Sequence, residues 1–252
     1  MVRLPRRLAY GEEATLVEHL EELRQRMLVC LGALGVALVV TVALHRRILH
    51  LLNRPLPHDI AKPTTFSPAE PLTTALWVAF WAAILLVLPV ILWQAWGFFS
   101  PAVEAQHERP VRWLVLFASA LLITGVVFGY FVALPAAIHY LTNFDKNEFN
   151  IQLRAKDYYS FTTMVMVAMG IVFELPVFVL GAVRLGILTT QRLRKNRRIG
   201  YFVVACIGVA LPGVDPVTTV IETIPLWVLY ELSIWLSVLV ERRAPAPAPA
   251  AE

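Results

Sequence analysis

An all-α integral membrane protein, with six transmembrane helices and both termini on the cytoplasmic side, is the fold class this sequence predicts. Three observations carry that prediction. Of 252 residues, 58% are hydrophobic and 16% are charged, against about 25% charged in an ordinary soluble domain. Six apolar stretches recur along the chain, most of them near the roughly 20 residues that a helix needs to cross the hydrocarbon core. Lysine and arginine divide unevenly between the intervening loops. With the N-terminus inside, fifteen fall on inner segments and seven on outer ones, as the positive-inside rule requires.

The elements follow in order. Residues 1–26 should form a cytoplasmic segment ending in an interfacial amphipathic helix. Thr15 and Glu18 are spaced as a capping box, and Leu16, Leu20, Leu23 and Met27 repeat at helical spacing. A six-span domain over 27–240 comes next, with its first four spans near 27–44, 74–98, 113–135 and 159–183. The first span does not read as a cleaved signal peptide, because no small-residue cleavage site follows it and an acidic amphipathic segment precedes it. Arg46 and Arg47, just outside this span, run against the charge trend. Gly125 and Gly129 form a GxxxG pair in the third span and predict a close helix contact.

The last two spans are less regular. Residues 199–211 give about 20 Å of helix. Residues 217–240 are long enough but carry Glu222, Pro225 and Glu231. Short fifth and sixth spans are therefore expected, leaving a concave recess. The segment Leu-Pro-Gly-Val-Asp-Pro (211–216) marks a sharp turn, and an alternative treats 199–240 as one re-entrant hairpin. Residues 241–252, with their Ala-Pro alternation, are expected to be a disordered cytoplasmic tail.

Several function classes find no support. Cys30 and Cys206 lie in apolar runs without metal spacing, and the six histidines include no His-x-x-x-His. Neither Ser-x-x-Lys, Gly-x-Ser-x-Gly nor a phosphate loop occurs. The chain is not expected to be an enzyme or to use a metal or cofactor, and its first partner is the lipid bilayer rather than nucleic acid.

The informative features are carboxylates. Glu18 and Glu22 stand four apart on the entry helix, followed by Arg24 and Arg26 nearer the membrane. Anionic lipid would select lysine and arginine only, so lipid attraction does not explain the acids. In the second inner segment Glu104 and Glu108 are again four apart, with His107 beside them. If the two segments meet, they form a carboxylate surface for a cationic peptide, and the arginine fork matches carboxylates with paired hydrogen bonds. An exposed ion pair contributes only about 0–1 kcal/mol, so several pairs and an apolar contact would be needed. The plainer reading is an interfacial helix with solvated charges. Glu174, in Gly170-Ile-Val-Phe-Glu-Leu-Pro176, lies mid-span. An ionised carboxylate there costs about 2.5–3.5 kcal/mol on insertion scales, so it awaits a proton, a hydrated cavity or a polar partner. Glu231 is a similar candidate.

These residues resemble a known family, TatC, the multispanning receptor subunit of the twin-arginine protein translocase. The likeness runs over roughly 15–240. It rests on His19-Leu20-Glu21-Glu22-Leu23-Arg24-Gln25-Arg26, Phe66-Ser67-Pro68-Ala69-Glu70-Pro71 and Gln94-Ala95-Trp96-Gly97-Phe98-Phe99-Ser100-Pro101. His107-Glu108-Arg109, Tyr130 to Pro135, Phe173-Glu174-Leu175-Pro176 and Leu229-Tyr230-Glu231 follow in the same order. The resemblance implies a receptor for signal peptides with consecutive arginines. It also implies assembly with small single-span subunits of TatA/TatB type and with further copies of itself. Folded proteins would leave across the prokaryotic inner membrane, driven by the proton-motive force. By position, Glu22 and Glu108 would hold the two arginines, with Glu18, Arg24, Arg26 and His107 shaping the site. Glu174 and Glu231 would be intramembrane polar contacts for a partner, and Asp215 and Pro55 would match outer-loop residues. Pro110 stands where the family commonly has a second arginine, and Gly213-Val214 where it has two prolines.

A rival reading is a proton-coupled small-solute transporter using Glu174 and Glu231. The absence of an internal repeat counts against it.

Overall fold

The structure, a computed structural model, describes residues 16–56, 63–99, 108–145, 147–149, 151–184, 186–213 and 215–243. Apolar side chains at helical periods dictate an all-helical chain, and every regular element among the described residues is helical. The order is α1 (Leu16–Ala43), α2 (His45–Leu52), α3 (Glu70–Phe99) and α4 (Glu108–Phe128). A π segment (Gly129–Ala133) leads into α5 (Leu134–Asn143), then α6 (Ala155–Val172) and α7 (Leu175–Arg184). α8 (Thr190–Lys195), α9 (Arg197–Ala210) and α10 (Pro216–Arg243) complete the chain.

Among the described residues, five stretches are long and apolar enough to cross a membrane: His19–Ala43, Glu70–Ala95, Val115–Asn143, Ala155–Arg184 and Pro216–Leu239. α9 has 14 residues, about 21 Å of helix, and falls short of a full crossing alone. The expectation of a short sixth span is corrected. α10 runs unbroken for 28 residues with Pro225 inside it. A proline lacks one N–H but is tolerated in an apolar helix whose neighbours enclose it, and α7 and α9 both pack on α10. The helix reaches Arg243, so the expected tail begins no earlier than 244, where the described residues end. At the other end, α1 is continuous from Leu16, and the boundary drawn at residue 26 falls inside one helix.

Three apolar clusters hold the helices. The largest joins α4, α6, α7, α9 and α10 around Ala118, Met169, Val204, Leu226 and Ile234. Here the GxxxG pair does what its spacing predicts. A Cβ on Gly125 would stand 2.5 Å from the Met169 carbonyl oxygen, and one on Gly129 would stand 3.2 Å from Met169 Cβ. Only glycine lets α4 approach the α6 backbone this closely. A second cluster seats α2 on Tyr130, Tyr158 and Tyr159, and a third seats α1 on α3 through Ala37, Ala83 and Val87. α1 and α3 are thus antiparallel neighbours, and the N-terminal end of α1 meets the C-terminal end of α3.

Candidate functional site

The entry motif is assembled where α1 meets the last turn of α3. Arg26 is the organising residue. Its Nε and Nη2 both donate to Glu22 Oε1, at 3.0 and 2.5 Å. Nη1 donates to the Gln94 carbonyl oxygen (3.3 Å) and to Gln94 Oε1 (3.2 Å), and Nη2 donates to the Gly97 carbonyl oxygen (2.8 Å). All five guanidinium N–H groups are thereby used. The Gly97 carbonyl is one of the four left without a helical partner at the C-terminus of α3, where the dipole also favours a cation. Glycine at 97 leaves room for this contact, because a Cβ there would overlap the Arg26 guanidinium and push it aside. One turn outward, the His19 ring stacks on Phe98, centroids 4.3 Å apart and planes 17° from parallel.

This arrangement leaves specific acceptors open. Both Arg26 bonds go to Glu22 Oε1, and Oε2 accepts none among the described residues. Gln25 Oε1, three residues further along the same helix, is buried without a donor among the described residues. Glu22 and Arg26 side chains are mostly buried, at 17% and 19% exposure, whereas Arg24 and Glu21 form a loose 3.6 Å pair in the open. The site is therefore a partly dry carboxylate, braced from one side by its own arginine, with an unused oxygen on the other. Of the remaining residues assigned to it by sequence, Glu108 opens α4 but its side chain lies outside the described set, as does that of Glu18. His107 and Glu104 lie outside the described residues altogether.

Glu174 is of another kind. Pro176 has no N–H to bond the carbonyl of Val172, so the helix breaks there, and Phe173 and Glu174 occupy the joint between α6 and α7. The Glu174 backbone is fully engaged, with N to the Ile171 carbonyl at 3.1 Å and its own carbonyl accepting from Val177 and Phe178. Its side chain is 1% exposed and neither oxygen has a partner among the described residues. Glu231 is not comparable, since it accepts from Tyr201 Oη and lies 3.6 Å from Arg197, tying α10 to α9. Asp215 Oδ1 accepts from Thr218 N at 2.8 Å and so caps α10. Pro55 stands half-buried in the turn after α2.

Two carboxylates were given no role by the sequence reading. Glu222 is fully buried in α10, and neither oxygen has a partner among the described residues. Its place in the middle of Val-Ile-Glu-Thr-Ile was the available signal. Glu70, at the start of α3, accepts from Arg154 Nε (3.0 Å) and from the Phe66 and Lys156 amides. The Glu70 carboxylate strengthens the hold of Arg154 on its proton. Together with the Thr64 to Arg154 bridge, this pair clips the segment before α3 to the start of α6. No cluster of metal-ligating side chains occurs among the described residues.

Comparison with known proteins identifies the architecture. The family model described as Sec-independent protein translocase protein (TatC) matches residues 18–225. The Sec-independent protein translocase protein TatC of Campylobacter jejuni is 35% identical over 234 residues, covering 91% of this chain and 94% of that protein. TatC of Escherichia coli is 32% identical, covering 88% and 87%. A crystal structure of the twin-arginine translocase receptor TatC in the detergent DDM superposes with a TM-score of 0.76 at 30% identity. The superposition covers 87% of this chain and 99% of that one.

Proposed function

The chain belongs to the TatC family of Sec-independent protein translocase proteins, and from that premise we propose that it receives signal peptides through the carboxylate at the α1–α3 junction. The observation that carries the reading is the open Oε2 of Glu22 beside the fully committed Arg26. An incoming guanidinium donates to that oxygen, while Arg26 holds the carboxylate from the other side. Glu108 supplies the second carboxylate for the second arginine, with Glu18, Arg24 and His107 around it. Lysine, a point donor, satisfies this geometry less well than the arginine fork.

The same reading places both termini in the cytoplasm of a prokaryotic cell, with α9 completing six spans of the inner membrane. A recess beside α9 and α10 would receive a signal-peptide helix or a small single-span subunit of TatA/TatB type, and further copies of the chain would associate. Glu174 would be the polar contact for that helix. Glu231, already held by Tyr201 and Arg197, would join it only by exchanging partners, a circumstance that also weakens the proton-coupled transporter reading. Transport would draw on the proton-motive force.

The test is binding of an Arg-Arg signal peptide to the purified chain in nanodiscs. Glu22→Ala combined with Glu108→Ala should abolish measurable binding, and unchanged affinity in that variant would overturn the site.

A further inference from the structure

The end of α1 opposite Glu22 carries a second charged feature that signal-peptide reception does not use. α2 begins two residues after α1 ends and divides cleanly into faces. Ile48, Leu49 and Leu52 pack into the cluster around Tyr130 and Tyr158. Arg46, Arg47, His50 and Arg54 point away, are exposed, and line one open pocket together with Leu51. The three arginines have no acidic partner among the described residues. Arginines on the outward side oppose the positive-inside trend, so an uncompensated cluster there calls for an anion.

The helix is held as a fixed platform. Tyr130 Oη donates to the Leu51 carbonyl oxygen at 2.8 Å and Tyr158 Oη to that of Leu52 at 2.6 Å. Tyr159 Oη donates to Asn53 Oδ1 at 2.7 Å. Three hydroxyls from the π segment and α6 thus hold the C-terminal end of α2 and fix the direction of its exposed basic face. Exposed Leu44 and Leu51 flank the arginines, giving acyl chains an apolar border beside the charge. A phosphodiester at the bilayer surface satisfies both halves, whereas a soluble anion uses only the charge.

We propose that the Arg46–Arg47–Arg54 face of α2 is a binding site for the headgroup of an anionic phospholipid, in the leaflet opposite the Glu22 site. The experiment uses the full chain in nanodiscs of phosphatidylcholine and phosphatidylglycerol, with retained lipid counted by native mass spectrometry. Each arginine near an anionic surface multiplies binding about fivefold. R46Q/R47Q/R54Q should therefore lower the retained phosphatidylglycerol-to-phosphatidylcholine ratio by at least about tenfold, while R46K/R47K/R54K keeps most of it. An equal ratio in wild type and the Gln variant overturns the proposal. Should the Gln variant fail to fold, the wild-type ratio still decides, because it should fall as salt is raised and a salt-independent ratio contradicts the site. Inorganic phosphate forms the second arm. If phosphate displaces the lipid with the same dependence on the three arginines, the site belongs to a soluble anion and the lipid assignment is overturned.

Discussion

Glu22 and Glu174 are the same residue in opposite circumstances. Glu22 sits at a helix junction, keeps 17% of its side chain exposed, and has one oxygen bonded by Arg26 with the other open. Glu174 sits in a helix break, 1% exposed, with no partner for either oxygen among the described residues. The difference teaches what a brace does: the Glu22 carboxylate is held as an ion beside Arg26, and the Glu174 carboxyl has no such neighbour among the described residues. Without that brace, a buried carboxyl is a polar group whose oxygens still lack a partner among the described residues. Membrane depth does not divide the two roles by itself, because Glu231, in a spanning helix, is braced by Arg197 and Tyr201.

The largest effect separating the two sites is on affinity. Glu22→Ala removes charge-assisted hydrogen bonds that contribute about 1.5–3 kcal/mol each, so an Arg-Arg peptide should bind roughly ten- to a hundredfold more weakly by fluorescence anisotropy. Glu174→Ala should leave that affinity largely intact while lowering transport or partner association. A comparable loss of peptide binding in both variants would erase the distinction.

Stability should move in opposite directions. Leucine at 174 removes two buried, unpartnered oxygens and should raise stability by about 1–3 kcal/mol. Leucine at 22 strands the Arg26 guanidinium and should lower it by about 1 kcal/mol. Thermal unfolding in one detergent, read for both variants, would show the sign.

Salt provides a smaller contrast. Raising ionic strength from about 0.01 M to 1 M shortens the screening length from roughly 30 Å to 3 Å. Peptide affinity should fall several-fold, whereas association that depends on Glu174 should hardly change, as a pull-down of the small subunit at both salts would report.

The least effect is expected at Gly97→Ala. Its methyl group displaces Arg26 from the end of α3 without touching Glu22. A two- to threefold loss of peptide affinity, on the order of 0.5 kcal/mol, is the anticipated result. An unchanged affinity would mean that the brace is dispensable.

Local pattern explains what the sequence made legible. The stripe Leu16, Leu20, Leu23 and Met27 and the acids between them declare a charged helix entering a membrane, and the GxxxG pair declares its contact. What joins distant segments stayed hidden. Arg26 reaches Gly97 across 71 positions and Arg154 reaches Glu70 across 84, separations that no periodicity reports. The sixth span misled for a related reason. Pro225 and two glutamates look disruptive in isolation, yet α7 and α9 enclose the helix that carries them. The π segment is likewise invisible locally; it carries Tyr130, whose hydroxyl reaches the carbonyl of Leu51 across 79 positions.

A double-mutant cycle between Glu22→Ala in the chain and Arg→Lys in the signal peptide tests the central claim most directly. If the open oxygen of Glu22 reads the arginine fork, the two changes are coupled by about 1 kcal/mol or more, and the peptide's preference for arginine largely disappears in the variant. Additive losses, with the preference for arginine intact in Glu22→Ala, would contradict the account and move signal-peptide recognition away from the α1–α3 junction.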